Sequence, residues 1–141
     1  MPDPIPNANK VALLPEPTTL DAPLWDGLRA GELQLQHCAG CGSFQYPPET
    51  FCYDCGSNDL KWEAASGGGT VYSFITVHQR YHAAFADNLP YDVSVIELDE
   101  GPRLISNVSD IPSDEVEVGM RVKAAPRDLD GERSWLYFER A

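Results

Sequence analysis

The stretch Cys38-Ala39-Gly40-Cys41-Gly42-Ser43-Phe44-Gln45-Tyr46-Pro47-Pro48-Glu49-Thr50-Phe51-Cys52-Tyr53-Asp54-Cys55-Gly56 holds all four cysteines of the chain, as two short pairs with ten residues between them. Each two-residue gap lets a tight knuckle aim both sulfurs at one point, which is the spacing of a tetrahedral metal site. Gly42 and Gly56 follow the pairs and Gly40 lies inside the first. Glycines there allow positive φ and turn backbone amides toward the thiolates. Both halves read as zinc-ribbon knuckles, with Cys38, Cys41, Cys52 and Cys55 as ligands.

Three other uses of the same cysteines compete. Two disulfides suit an oxidising compartment, yet the amino terminus lacks a basic segment followed by an apolar run and a small-residue cleavage site. A redox CxxC is a single pair, whereas two adjacent pairs argue for metal. Iron fits the same sulfur cage and stays open as an alternative. Four protein ligands leave no position for water or substrate, so the expected Zn2+ is structural and not catalytic.

At 141 residues with 43% hydrophobic composition, the chain can bury a core and is not disordered throughout. No apolar run reaches the roughly 18 residues that span a membrane. The formal charge of -12 opposes binding to phosphate backbones, which depends on Lys and Arg displacing counterions. A cytoplasmic protein is expected, with no nucleic acid and no membrane among its partners.

Working outward from the cysteines, residues 1–20 read as an extended arm. Six of the twelve prolines fall within the first 23 residues, and Ile5, Val11, Leu13 and Leu14 could wrap a partner. Asp21 can cap a helix over Ala22 to Ala30, with Pro23 in its first turn, Leu24, Trp25 and Leu28 on one stripe and Gly31 as the stop. Leu33 and Leu35 alternate with polar residues into the first knuckle, and Leu60 with Trp62 leads out of the second, so helix and ribbon occupy 21–66. Gly67, Gly68 and Gly69 read as a flexible hinge that opens a second unit over 67–141.

In that unit, strands are expected over Thr70 to Tyr81, with Val71, Ile75 and Val77 on one face, and over Tyr91–Leu98, Arg103–Val108, Met120–Ala124 and Ser134–Glu139. Five strands, the first long, fit a small closed Greek-key barrel of the OB type. The fold class is therefore mainly β: an N-terminal helix and a rubredoxin-like zinc ribbon followed by a five-stranded OB-fold barrel. Glu97, Asp99 and Glu100 crowd one turn and are expected to be solvated rather than catalytic. No nucleophile elbow, zinc-protease run or phosphate loop is present, so catalysis by the chain alone is not expected.

These modules in this order resemble the zinc-ribbon OB-fold family catalogued as domain of unknown function 35. The likeness rests on Cys38-Ala39-Gly40-Cys41-Gly42, Tyr46-Pro47-Pro48, Cys52-Tyr53-Asp54-Cys55-Gly56 and Gly69-Thr70-Val71-Tyr72-Ser73-Phe74. It continues through Pro90-Tyr91, Glu97-Leu98-Asp99-Glu100-Gly101 and Val118-Gly119-Met120-Arg121-Val122, covering roughly residues 20–139.

The resemblance implies a non-catalytic subunit of a hetero-oligomer. Its partner would be a thiolase-fold enzyme working on acyl-coenzyme A (acyl-CoA), by carbon–carbon cleavage of the steroid side-chain aldolase type or by acyl transfer. Under that reading the loop after the first barrel strand, rich in aromatic and basic groups, is the contact site. Arg80 would meet a phosphate, Tyr81 and Phe85 would touch the partner or line an acyl channel, and His78 or His82 would give a hydrogen bond. The acyl-CoA would be shared with the partner, since this chain is acidic. The alternative is an OB-fold module for single-stranded nucleic acid, which the charge disfavours.

Overall fold

The computed structural model describes residues 15–141. Most of the expected arm, with Ile5, Val11, Leu13 and Leu14, lies outside the described residues. Helix α1 (Ala22–Arg29) carries proline in its first turn and buries Leu24, Gly27 and Leu28. Asp21 sits at its N-cap, but its carboxylate makes no bond to a helix amide. It accepts instead from the Thr18 amide at 2.6 Å and the Thr18 hydroxyl at 2.9 Å, which fixes the turn entering the helix.

The cysteine region folds as a three-stranded antiparallel sheet of β1 (Gln34–Cys38), β2 (Phe44–Gln45) and β3 (Leu60–Ala64), in the order β2-β1-β3. The second sheet holds β4 (Gly68–Val77), β5 (Tyr91–Leu98), β6 (Arg103–Ser106), β7 (Arg121–Asp128) and β8 (Ser134–Arg140), in the order β6-β5-β4-β7-β8. It curls into a half-barrel. Between β6 and β8 a regular ladder gives way to a seam over residues 106–109: a parallel bridge Val108 to Phe138, with Ser109 N donating to the Phe138 carbonyl at 2.8 Å and Ser106 Oγ to the Leu136 carbonyl at 2.9 Å.

One hydrophobic cluster joins all parts. Leu24 and Leu28 of α1 meet Leu33 and Leu35 of the ribbon and Val71, Ile96, Leu98, Val122 and Phe138 of the half-barrel. Phe138, Val71, Ile96 and Val122 are wholly buried, which places the core at the ribbon-facing end of the curl.

Three sequence expectations change here. Gly68 and Gly69 are strand residues paired with β5 and β7, not a hinge. They are glycines because neighbours press in: a Cβ on Gly69 would lie 2.8 Å from Ile96 Cγ2, and one on Gly68 would run into the Asp99 carboxylate. Second, Val71 and Ile75 do not share an inner face. The ladder slips between Val71 and Ser73, so Tyr72 is a bulge residue. The extra residue reverses the alternation, turning Phe74 onto the core and leaving Ile75 62% exposed.

Third, the turn carboxylates do not simply dissolve in water. Asp99 accepts from both Arg121 Nη atoms, at 2.7 and 2.9 Å, and Glu97 accepts from Arg103 Nε at 2.9 Å. Glu100 Oε2 accepts from the Ser66 amide at 2.9 Å, tying the β5–β6 turn back to the start of β4. Hydrogen bonds from Arg121 hold the Asp99 carboxyl below its ordinary value although the group is exposed.

Candidate metal centre and barrel-end groove

The two knuckles are built alike. Cys38 N donates to the Ser43 carbonyl and Gly42 N to the Cys38 carbonyl; Cys52 N donates to the Ser57 carbonyl and Gly56 N to the Cys52 carbonyl, all within 2.7 to 2.9 Å. Such turns need φ of +81° at Gly42 and +76° at Gly56, which glycine takes without strain. Gly40 is not at positive φ; it packs beside Cys38 Sγ and Ser57.

The four Sγ atoms lie within 4.8 Å of one another, with Cys38 to Cys55 and Cys41 to Cys52 both at 3.6 Å. Tetrahedral zinc with Zn–S of about 2.3 Å sets sulfur–sulfur edges of about 3.8 Å, so the cage fits the ion. The same distances are far beyond a disulfide bond of about 2.05 Å, and all four thiols are free. The Ser43 hydroxyl and amide pull the Cys41 thiol down to about 6. The Ser57 amide works in the same direction on Cys55, but its neighbour Cys38, burial and the other two sulfurs prevail and push it up to about 12.

Beneath the cage, two buried glutamines fix the loop between the knuckles. Gln45 Nε2 donates to Gln36 Oε1 at 2.9 Å and to the Phe51 carbonyl at 3.0 Å, and its Oε1 accepts from Tyr53 N. Gln36 holds both the amide and the carbonyl of Glu49 at 2.9 Å. The alternation of β1 places Gln36 on a wet face; the structure buries it at 4% exposure, because the returning loop needs donors and acceptors there.

At the far end of the half-barrel a groove of about 740 Å³ opens between β4, β5, the β6–β7 connection and β8. His78 and Phe85 line it, whereas Arg80 and Tyr81 stand beside it on the 78–82 loop, Tyr81 being 76% exposed. His82 caps the short 3-10 helix Ala83–Asn88, its Nδ1 accepting from Ala84 N at 2.9 Å. Phe85 leans on Tyr91 with ring centroids 5.7 Å apart.

Sequence reasoning missed Asp92. It lies in the groove wall at 4% exposure, and its Oδ2 accepts from Ser94 Oγ at 2.5 Å and from Val108 N at 2.9 Å. Burial pushes its carboxyl above the ordinary value, with these two donors acting against the rise. Its signal was an acidic residue set near the start of the β-rich run Tyr91–Leu98.

Among the described residues no helix is long and apolar enough to cross a membrane. Residues 25–61 match the family model described as ChsH2, rubredoxin-like zinc ribbon domain, and residues 62–127 the model described as ChsH2, C-terminal OB-fold domain. A probable enoyl-CoA hydratase alpha subunit of Thermomonospora curvata is 40% identical over 113 residues, 79% of this chain and 35% of that protein. The 3-oxo-4,17-pregnadiene-20-carboxyl-CoA hydratase alpha subunit of Mycobacterium tuberculosis is 31% identical over 105 residues, 74% of this chain and 33% of that protein. The chain thus spans about a third of the length of these curated relatives. A solved chain of an Ltp2-ChsH2(DUF35) aldolase superposes with a TM-score of 0.80 at 35% identity, covering 90% of this chain and 98% of that one. With its sulfur cage, its curled five-stranded sheet and this near end-to-end match, the chain belongs to the DUF35 family of zinc-ribbon OB-fold proteins, on the ChsH2 branch.

Proposed function

We propose that the chain is a non-catalytic subunit that docks on a thiolase-fold enzyme and helps hold an acyl-CoA thioester during carbon–carbon bond cleavage of the steroid side-chain aldolase type, with acyl transfer as the other reaction of the same partner class. The observation that carries this reading is the near-complete coverage of a DUF35 chain taken from an aldolase. The site itself is consistent with it. Zinc, bound by four cysteines, stiffens the front of the molecule and supplies no open coordination position. Residues 78–83 are exposed, with Tyr81 offered to a partner, while Ala84 is buried and Phe85 lines the groove against Tyr91. Exposed aromatic side chains of this kind anchor interfaces.

Arg80 is the cation of that loop and would meet a coenzyme A phosphate only at the outer end of the groove, because among the described residues lining the groove there is no Lys or Arg. A jointly built site, with the partner supplying further cations, follows from the acidic charge of the chain. The reading is tested by reconstituting the chain with a thiolase-like subunit and following acyl-CoA turnover with and without it. Turnover should depend on the chain, and the double variant Tyr81→Ala, Phe85→Ala should weaken the complex about tenfold or more. Full partner activity in its absence, together with no stable complex by calorimetry, would overturn the reading.

A further inference from the structure

Strands β4, β5 and β6 carry a second apolar row, turned away from the core. Antiparallel partners send their side chains to the same side, and the register sets Ile75 against Val93 and Val77 against Tyr91, then Val95 against Ile105 and Glu97 against Arg103. The alternate residues Ser94, Ile96, Leu98, Leu104 and Ser106 are the buried ones, so this row lies on the outside. Phe85 closes one end of it by leaning on Tyr91. At the other end the Arg103 guanidinium lies 3.7 Å from the centre of the Tyr72 ring, and its Nε donates to Glu97 at 2.9 Å. Tyr72, Ile75 and Ile105 are 50%, 62% and 72% exposed. These three side chains alone offer about 300 Å² of mostly apolar surface, the scale at which a patch on a monomer marks an interaction site.

We infer that this outer face of β4, β5 and β6 is the seat of the catalytic subunit, which meets it with an apolar patch rimmed by basic groups. A second copy of the chain is the wrong occupant, because each copy carries a formal charge of -12. The face itself is neutral, since Glu97 and Arg103 compensate each other, so the surrounding acidic surface steers a less acidic protein onto it. Tyr91, Val93 and Ile105 also line the groove, so a subunit seated here walls the groove from outside and the two chains enclose it together. The inference rests on the subunit reading above and adds where that subunit sits. The solved aldolase chain is covered to 98% by this one, so a surface that chain uses on a companion lies in the part both share.

The test titrates the full zinc-loaded chain with the thiolase-like subunit of the reconstitution above, by calorimetry and by the methyl NMR signals of the isoleucines. In the unmodified chain the Ile75 and Ile105 signals should move on binding, while that of the wholly buried Ile96 stays. Ile75→Lys and Ile105→Lys, at exposed positions that folding does not need, should each weaken the complex about tenfold or more, because a charge would be buried in an apolar contact. Val118→Lys, exposed on the β6–β7 connection, should leave the affinity unchanged. A complex that forms with both isoleucine signals unmoved and both variants at full affinity would overturn the inference and leave the subunit reading standing. Self-association of the unmodified chain, lost in the isoleucine variants, would overturn it in favour of a second copy. No complex with the unmodified chain would remove the subunit reading and this inference with it.

Discussion

Gly69→Ala adds one methyl group between β4 and β5, and the structure gives its cost a sign. The new Cβ would stand 2.8 Å from Ile96 Cγ2 and 2.9 Å from the Glu97 carbonyl oxygen. Ile96 is wholly buried and cannot swing aside, and Glu97 faces Thr70 in the β4–β5 ladder. Overpacking of this kind costs about 1–3 kcal/mol. With an unfolding entropy of about 2.1 cal/mol/K per residue over 141 residues, that corresponds to a loss of about 3–10 °C in Tm. A glycine acting only as a flexible hinge would behave oppositely: alanine would stiffen the unfolded chain, stabilise by about 0.4–1 kcal/mol and raise Tm by about 1–3 °C. Thermal unfolding of the zinc-loaded proteins by circular dichroism decides between them. An unchanged or higher Tm in the variant would refute the close packing inferred for β4.

Zinc should analyse at one ion per chain and leave the protein colourless, and chelation should remove the ribbon's amide dispersion in NMR spectra, since structural zinc supplies on the order of 10 kcal/mol of folding free energy. Zinc uptake near pH 7.5 should release fewer than four protons, because Cys41, pulled down to about 6, is already mostly thiolate while Cys55, at about 12, is not; calorimetry in buffers of different ionisation enthalpy counts them. Asp99→Asn should flatten the acid limb of the stability curve: a depressed carboxylate stabilises above the ordinary value of 3.8 and loses that contribution as pH falls through its lower folded value, so urea unfolding of the two proteins should converge at low pH.

The cage was the most legible part, because two CxxC knuckles encode their geometry within a few residues of chain. Strand β5 was read to the residue, and α1 differed by one residue at its end, since both are written in local periodicity. What escaped depends on distant partners. Tyr91, Val93 and Val95 look like an inner row, yet the buried residues of β5 are Asp92, Ser94, Ile96 and Leu98, and only the curl of the sheet decides that. The glycine triplet read as a hinge because composition cannot show that Ile96 and Asp99 come to lie against it. The candidate contact residues His78, Arg80, Tyr81 and Phe85 stand out by density of chemistry in one loop; Asp92 is marked only as an acidic residue in a β-rich run, because its partner Val108 lies 16 residues further along the chain.

The slip at Tyr72 gives β4 two frames. Before it, Val71 feeds the interior; after it, the parity is inverted and Ile75 stands in the open beside Val93, with Ile105 two strands away. One strand therefore serves the ribbon end with its opening half and dresses the outer sheet with the other. Excising that single residue would exchange the two sets downstream, sinking Ile75 and casting Phe74 into solvent. The oily outer strip thus depends on counting, not on composition.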